Sequence, residues 1–555
     1  MATAKTRKPS KPAKKTTPAK AKAAANGKFR LTYATMFNPP EELHTRYEKA
    51  LAQVKANLGR DYPMLINGQD RFTADKFEDR SPINTDWLLG TFQKGSAQDA
   101  QDALAAAQAA FPKWSGMKWQ ERVRLLRRAA AQIEKRVYEI GVALSLEVGK
   151  NRMEGLGDAQ ETADLIYYAC DQMEANGGFI REMGRDPLAG YNVTNISVLR
   201  PYGPWVVISP WNFPFALAGG PSGAALVTGN TVVFKPATDT PWVGRLLAEC
   251  IRDAGVPDGV FNYVTGPGST VGQTLIEDPR VAGITFTGSY DVGMHIYRTF
   301  AHGRYPRPVI AEMGGKNPSI VTRNANLEDA ATGIVRSAFG LQGQKCSANS
   351  RIFVDNVVKE QLIEKLLEKT RAITIGDPTQ RANWMGPVVN ATQYRDYGNY
   401  CEDLSQSGTI LHGGHKLTGV RDGFDYGKGY FCEPTLVDGV PADHKLWQVE
   451  MFLPIAMIEG FDDLDYAMRR ANDVTYGLTA GFYGSKKEAE WFFDKIEAGV
   501  TYANRPQGAT TGAWPGFQPF GGWKGSGSTG KNAGGYYYLP LYMHEQIRTR
   551  VERIK

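Results

Sequence analysis

The chain has 555 residues, more than one ordinary hydrophobic core can organise, so two or more packed units are expected. Its formal charge of +7 is misleading: residues 1–30 hold ten Lys/Arg and no acid, and the other 55 basic and 58 acidic residues leave a body near −3. That balance excludes a basic nucleic-acid groove in the body, and the absence of any run near the ~18 apolar residues of a membrane span, or of a secretory apolar core, predicts a soluble cytoplasmic protein.

Residues 1–27 are low-complexity Lys, Ala, Pro and Thr, a composition that buries too little apolar area to offset chain entropy. The segment is predicted to be a disordered basic tail, either solubilising or in loose contact with nucleic acid or another polyanion. Between Trp119 and Val148, the residues Val123, Leu126, Ala130, Ile133, Val137, Ile140 and Leu144 recur at steps of three and four, which predicts one long core-packed helix.

From residue 200 the pattern changes to short β-rich runs: Trp205–Ile208, Thr231–Phe234, Val260–Val264, Ile284–Phe286 and Val309–Ala311. Separated by helical or Gly/Pro-rich stretches, they predict βαβ units and a parallel sheet. Ser209-Pro-Trp-Asn212, Lys235-Pro-Ala237, Gly266-Pro-Gly268 and Thr287-Gly-Ser289 then fall at carboxyl strand ends, where such sheets gather ligands. Gly266, Gly268 and Gly272 are one residue longer than the dinucleotide fingerprint, so a plain glycine turn explains them equally well. A second α/β pattern starts after Met313, with Ser319–Val321 and Arg351–Val354, which places a boundary near residue 311.

The five cysteines, Cys170, Cys250, Cys346, Cys401 and Cys432, are odd in number and scattered, which speaks against a disulfide scaffold or structural zinc. His412 and His415 lack a nearby third ligand in sequence, so no metal is predicted. Cys346 stands among small and polar residues next to Lys345, where a thiol is reachable and ionised, as a nucleophile must be. Asn212 and Glu312 each follow a strand run; an amide donates to an oxyanion and a carboxylate takes a proton from water. Together the three supply acyl-thioester chemistry beside a nucleotide.

At this point the chain resembles the aldehyde dehydrogenase superfamily. The resemblance rests on Pro210-Trp-Asn-Phe-Pro214, Gly229-Asn-Thr-Val-Val-Phe-Lys-Pro236, Phe286-Thr-Gly-Ser289, Glu312-Met-Gly-Gly-Lys-Asn317, Gly343-Gln-Lys-Cys346, Glu450-Met-Phe452, Asn472–Leu478 and Pro519-Phe-Gly-Gly522, in the family's order. It implies an α/β fold with a Rossmann-like NAD-binding domain (28–188 and 203–310), an α/β catalytic domain (311–533) and a small β oligomerisation extension (189–202 and 534–555). A homodimer or higher homo-oligomer is implied with it.

Carried onto this sequence, the resemblance makes Cys346 the nucleophile, with the Asn212 amide and the Cys346 N–H holding the oxyanion and Glu312 activating the hydrolytic water. For the cofactor it implies Ile208, Ser209, Pro210, Trp211, Gly268, Gly272 and Ser289 around the nucleotide, Lys235 at the adenosine ribose, Glu450 at the nicotinamide ribose and Phe452 against the nicotinamide. Two departures stand out. Thr238 replaces a Glu found in many NAD-using members, so NADP is admitted beside NAD, and Leu453 stands where Gly is usual, which bears on packing beside Phe452.

Within the superfamily the chain is most similar to the 1-pyrroline-5-carboxylate dehydrogenases, on the segment Lys49 to Asn67, on Gln344-Lys-Cys-Ser-Ala348 and on Thr511 to Phe520. This implies an amino acid aldehyde, L-glutamate-γ-semialdehyde, oxidised to L-glutamate in proline catabolism. Its carboxylate would be gripped by Ser347, Gly512 and Ala513, and its aliphatic middle boxed by Phe213 and Phe520. The run Asn504–Thr510 is longer than usual at the pocket mouth, which leaves another carboxylate-bearing or aliphatic aldehyde as the alternative.

Overall fold

The computed structural model describes residues 39–184, 186–509 and 514–554; the basic tail lies outside them. Among the described residues no helix is long and apolar enough to cross a membrane.

Two seven-stranded sheets organise the molecule. In space, the first runs Val309–Glu312, Gly283–Thr287, Pro204–Ile208, Thr231–Lys235, Phe261–Tyr263, Met64–Ile66 and Gln69–Arg71. The first five strands are parallel, as the β-rich runs predict; the last two join antiparallel. Both faces of this sheet are covered, which is why its strands read as continuous apolar runs. Trp205, Val207, Val232 and Phe234 pack with the helices between Trp119 and Ala175 and with Ala216–Thr228, while Val206, Val233 and Ile284 pack with Ala97–Gly116.

The second sheet runs Thr409–His412, Thr435–Asp438, Ile455–Phe461, Asn349–Asp355, Asn317–Val321, Thr479–Tyr483 and Val500–Ala503. It is parallel except for its first edge strand. His412 ends that edge strand, and among the described residues no group of three or more His, Cys, Asp or Glu is arranged to hold a metal. The chain passes from one sheet to the other through Met313–Lys316, between adjoining strands of the two sheets.

A third sheet pairs Met543–Arg553 antiparallel with Tyr191–Pro201 along eleven register pairs, and adds Ile180–Glu182 at its far edge. The strand begins only at Met543. Tyr538 and Tyr542 fold back under the first sheet, where Tyr542 Oη meets Thr285 Oγ1 at 3.1 Å and Tyr538 Oη at 2.9 Å.

The long helix expected from Trp119 to Val148 is two helices, Trp119–Lys135 and Val137–Val148. Arg136 breaks them with φ −101° and ψ 11°. Its guanidinium leaves the helix line to bond Glu139 and Glu249, a distant pairing that periodicity does not reveal. The apolar steps of three and four survive because the second helix is buried along nearly its whole length and needs no single apolar stripe.

Candidate active site

The helix Leu327–Phe339, capped by the Asn326 side chain, ends where Gly340 begins a tight turn. Leu341 (φ 48°), Gln342 (φ 55°) and Gly343 (φ 66°) take left-handed conformations in succession, and the first two are non-glycine and buried. Such backbone persists only where its surroundings over-determine it. Here the Glu154 carboxylate accepts from Leu341 N at 2.8 Å, and Gly343 presses so closely on the Leu453 carbonyl that a Cβ would collide with it. Cys346 follows, three residues before the strand Asn349–Asp355.

Asn317, which opens the neighbouring strand, grips the cysteine segment: its Nδ2 donates to the Cys346 carbonyl at 2.7 Å and to the Ala348 carbonyl at 2.8 Å. Its Oδ1 accepts from Thr479 N at 2.9 Å. The sequence reading gave Asn317 no role; the signal was its place at the end of the Glu312–Asn317 motif, a polar residue heading an apolar strand.

Cys346 is partly exposed, whereas Cys170, Cys250, Cys401 and Cys432 are buried. Lys345 lies beneath Gly340, where an added Cβ would meet Lys345 Nζ at 2.8 Å and Glu154 Oε1 at 3.4 Å, and it interacts electrostatically with both Glu154 and Cys346. Desolvation pushes the thiol up to about 12, helped by the Glu450 and Glu312 carboxyls. The ionisation expected of the thiol is therefore opposed by desolvation and by the two carboxyls, with Lys345 the positive group that interacts with it.

Glu312 ends the strand Val309–Glu312. Burial lifts it to about 8, opposed by a hydrogen bond from Gly522 N, and its Oε2 is buried without a partner. Asn212, 4% exposed, follows Pro204–Ile208; its Nδ2 donates to the Gln344 carbonyl at 3.0 Å, which leaves the second amide hydrogen free to serve an oxyanion. Cys346, Glu312, Phe213, Thr287, Leu478 and Phe520 line one cavity of about 60 Å³. A wider opening of about 650 Å³ shares Phe213 with it and is flanked by Lys345, Gln507 and Trp514. Ser347 is buried and is not among the residues that line this cavity, and Gly512 and Ala513 lie outside the described residues.

The residues expected at the cofactor gather in pairs along the carboxyl edge of the first sheet. Ser209 N donates to the Lys235 carbonyl at 3.3 Å, and Ser209 Oγ is buried without a partner. Lys235 is buried; desolvation lowers its amine to about 8, and Nζ donates to the Pro236 carbonyl at 2.9 Å. A Cβ on Gly272 would touch the Lys235 side chain at 3.7 Å, whereas one on Gly268 would meet nothing within 4 Å. Gly266 is the glycine that the turn itself requires, with φ 140° and a Cβ position 2.9 Å from the Gly95 carbonyl. Ile208 and Pro210 flank Ser209 at the end of their strand, and Ser289 caps Tyr290–Ala301 without a side-chain bond, leaving that helix start open to an anion.

On the other side, Trp211 and Phe452 meet edge to face at 5.2 Å, Phe452 with φ 58°. Glu450 Oε1 accepts from Gly315 N at 2.8 Å, and burial raises its carboxyl to about 7. A Cβ on Gly314 would collide with that carboxylate and one on Gly315 with the Cys346 carbonyl, so the Gly-Gly pair lets Glu450 and the thiol turn close on each other.

Comparison with known proteins identifies the family. The sequence pattern of the aldehyde dehydrogenase family matches residues 70–547. The 1-pyrroline-5-carboxylate dehydrogenase 1 of Halalkalibacterium halodurans is 38% identical over 503 residues, 90% of this chain and 94% of that protein. A 1-pyrroline-5-carboxylate dehydrogenase from Thermus, solved with bound NAD, superposes with a TM-score of 0.87 at 34% identity, over 96% of this chain and 100% of that one. Proline utilization A from Bdellovibrio bacteriovorus gives 0.86 at 33% identity over 91% of this chain, which spans 51% of that longer protein. On the family pattern across most of its length, and on relatives matched nearly end to end, the chain belongs to the aldehyde dehydrogenase family.

Proposed function

We propose that the protein oxidises L-glutamate-γ-semialdehyde, the open form of 1-pyrroline-5-carboxylate, to L-glutamate with NAD, a step of proline catabolism. The observation that carries the reading is the single cavity in which Cys346 and Glu312 meet between Phe213 and Phe520, in a chain 38% identical to 1-pyrroline-5-carboxylate dehydrogenases. The cofactor residues fit a dinucleotide: the unpartnered Ser209 Oγ, the open space at Gly268 and the free helix start at Ser289 are places for ligand atoms. Thr238 puts no carboxylate where a 2′-phosphate would lie, so NADP is accepted as well.

Cys346 Sγ, deprotonated by Glu312, attacks the aldehyde carbon, and the free Asn212 N–H and the Cys346 N–H hold the oxyanion. NAD, when bound, supplies the hydride acceptor. Glu312 passes the thiol's proton to solvent and then takes a proton from water, whose oxygen attacks the thioester carbon; Cys346 leaves as the thiolate and takes that proton back, giving the acid and the free thiol. The phenylalanines enclose the aliphatic middle, and Ser347 with Gly512 and Ala513 holds the carboxylate. The sheet of Met543–Arg553 and Tyr191–Pro201 exposes Ile547 and Val551 on its outer strand, which supports its use between subunits of a homo-oligomer.

The test is kcat/KM for NAD reduction with glutamate-γ-semialdehyde and with an unbranched aldehyde of similar length, repeated on Cys346→Ala. A preference for the amino acid aldehyde, with turnover falling by about 10³-fold or more in the variant, is expected. Equal rates for both aldehydes would overturn the carboxylate grip, and an active Cys346→Ala would overturn the thiol mechanism.

A further inference from the structure

Behind the cavity lies a cluster of buried charges that the chemistry above does not use. Lys150 and Asp158 form an ion pair at 2.9 Å with both side chains 0% exposed. The Lys150 ammonium also stands 3.6 Å from the centre of the Phe213 ring, on which it stacks as a cation on a π face. The second oxygen of Asp158 accepts from Ala216 N at 2.7 Å, at the start of the helix Ala216–Thr228 that follows the Asn212–Phe213 loop. One ion pair thus holds the ring that walls the cavity and the end of the loop that carries Asn212.

The same cluster reaches the thiol side. Glu154, in the first turn of the helix Arg152–Ala175, accepts from Asn151 N at 3.2 Å and from Leu341 N at 2.8 Å, in the strained turn before Cys346. Both Lys150 and Lys345 act electrostatically on Glu154. Positive and negative groups therefore alternate from Lys345 through Glu154 and Lys150 to Asp158, and link the turn of Cys346 to the loop of Asn212. These walls also touch directly through Asn212 and the Gln344 carbonyl.

A buried ion pair is a poor way to gain stability, since the cost of desolvating two charges offsets most of their attraction and apolar residues of similar volume often serve as well. What charges add is direction: each bond fixes a particular atom. We propose that Lys150 and Asp158 are positioning residues that set the Asn212–Phe213 loop in register with Cys346, with Glu154 holding the opposite wall. This rests on the reading of Cys346 and Asn212 as thiol and oxyanion donor.

The test compares Lys150→Met with the double variant Lys150→Met/Asp158→Asn, in which no lone charge remains buried and the asparagine oxygen can still accept from Ala216 N. Iodoacetamide titration counts reactive Cys346 thiols, and aldehyde kcat/KM at saturating NAD is expressed per titratable thiol, so loss of folded protein does not register. In the double variant kcat/KM is expected to fall by about tenfold or more, the scale of a modest misplacement of reacting groups, while KM for NAD is unchanged. Wild-type kcat/KM per thiol in the double variant, beside an inactive Cys346→Ala, would overturn the positioning role alone. An active Cys346→Ala would overturn the functional reading and the positioning role with it.

Discussion

The two large sheets feed one site from opposite edges. The first offers its carboxyl edge: Asn212, Lys235, Gly268, Ser289 and Glu312 all follow or end one of its strands. The second offers its amino edge: Asn317 opens a strand, and Cys346, Glu450, Phe452 and Leu478 each precede one. The rule that ligands collect at carboxyl ends describes the first sheet and fails for the second. The difference follows from what each edge holds. A dinucleotide can be bound by backbone groups, glycines and a helix start, which carboxyl-edge loops provide by default. A nucleophile needs one atom fixed, and the second sheet fixes it with left-handed backbone and the Asn317 amide.

The largest effect that would sharpen this contrast lies at the one proton acceptor the first sheet lends to the thiol. Glu312→Gln is expected to lower turnover by roughly 10²- to 10⁴-fold, the usual worth of a general base, by slowing both the attack of the thiol and the hydrolysis of the thioester, read from single-turnover and steady-state NADH formation. A carboxyl lifted to about 8 holds its proton at pH 7 and becomes a base as pH rises, so wild-type turnover should climb through about pH 8. A pH–rate profile that keeps this limb in the glutamine variant would assign it to another group.

Next in size is Asn212→Ala, which removes the first sheet's donor to the oxyanion. Turnover should fall by about 10²-fold with little change in NAD binding, read from kcat and from NAD titration by fluorescence. An equal loss in both would make Asn212 a scaffold for the whole carboxyl edge.

The smallest effects separate glycine as fold from glycine as ligand space. Gly266→Ala forces a Cβ onto a φ of 140° against Gly95 and should destabilise by about 1–3 kcal/mol in thermal or urea unfolding. Gly268→Ala meets nothing, so stability should hold while KM for NAD rises. The reverse outcome would move the dinucleotide away from Gly268.

Much of this was legible before the fold. The β-rich runs Trp205–Ile208, Thr231–Phe234 and Ile284–Phe286 announce strands of a parallel sheet, and they carry apolar side chains on both faces because helices cover both. The family's ordered motifs sufficed to single out Cys346, Glu312 and Asn212. Such information is local, written in periodicity and in short runs of fixed residue types. Tertiary structure alone decided the break at Arg136, the desolvation of the thiol, the burial of Lys345 beside Glu154, the bracing by Asn317 and the use of opposite strand edges. Each depends on partners far along the chain: Arg136 bonds Glu249, Glu154 interacts with Lys345, and burial together with the Glu450 and Glu312 charges raises the Cys346 thiol. Charge and solvent exclusion act through space, so the type of a residue is written in the sequence, while the state it adopts is set by what folding brings against it.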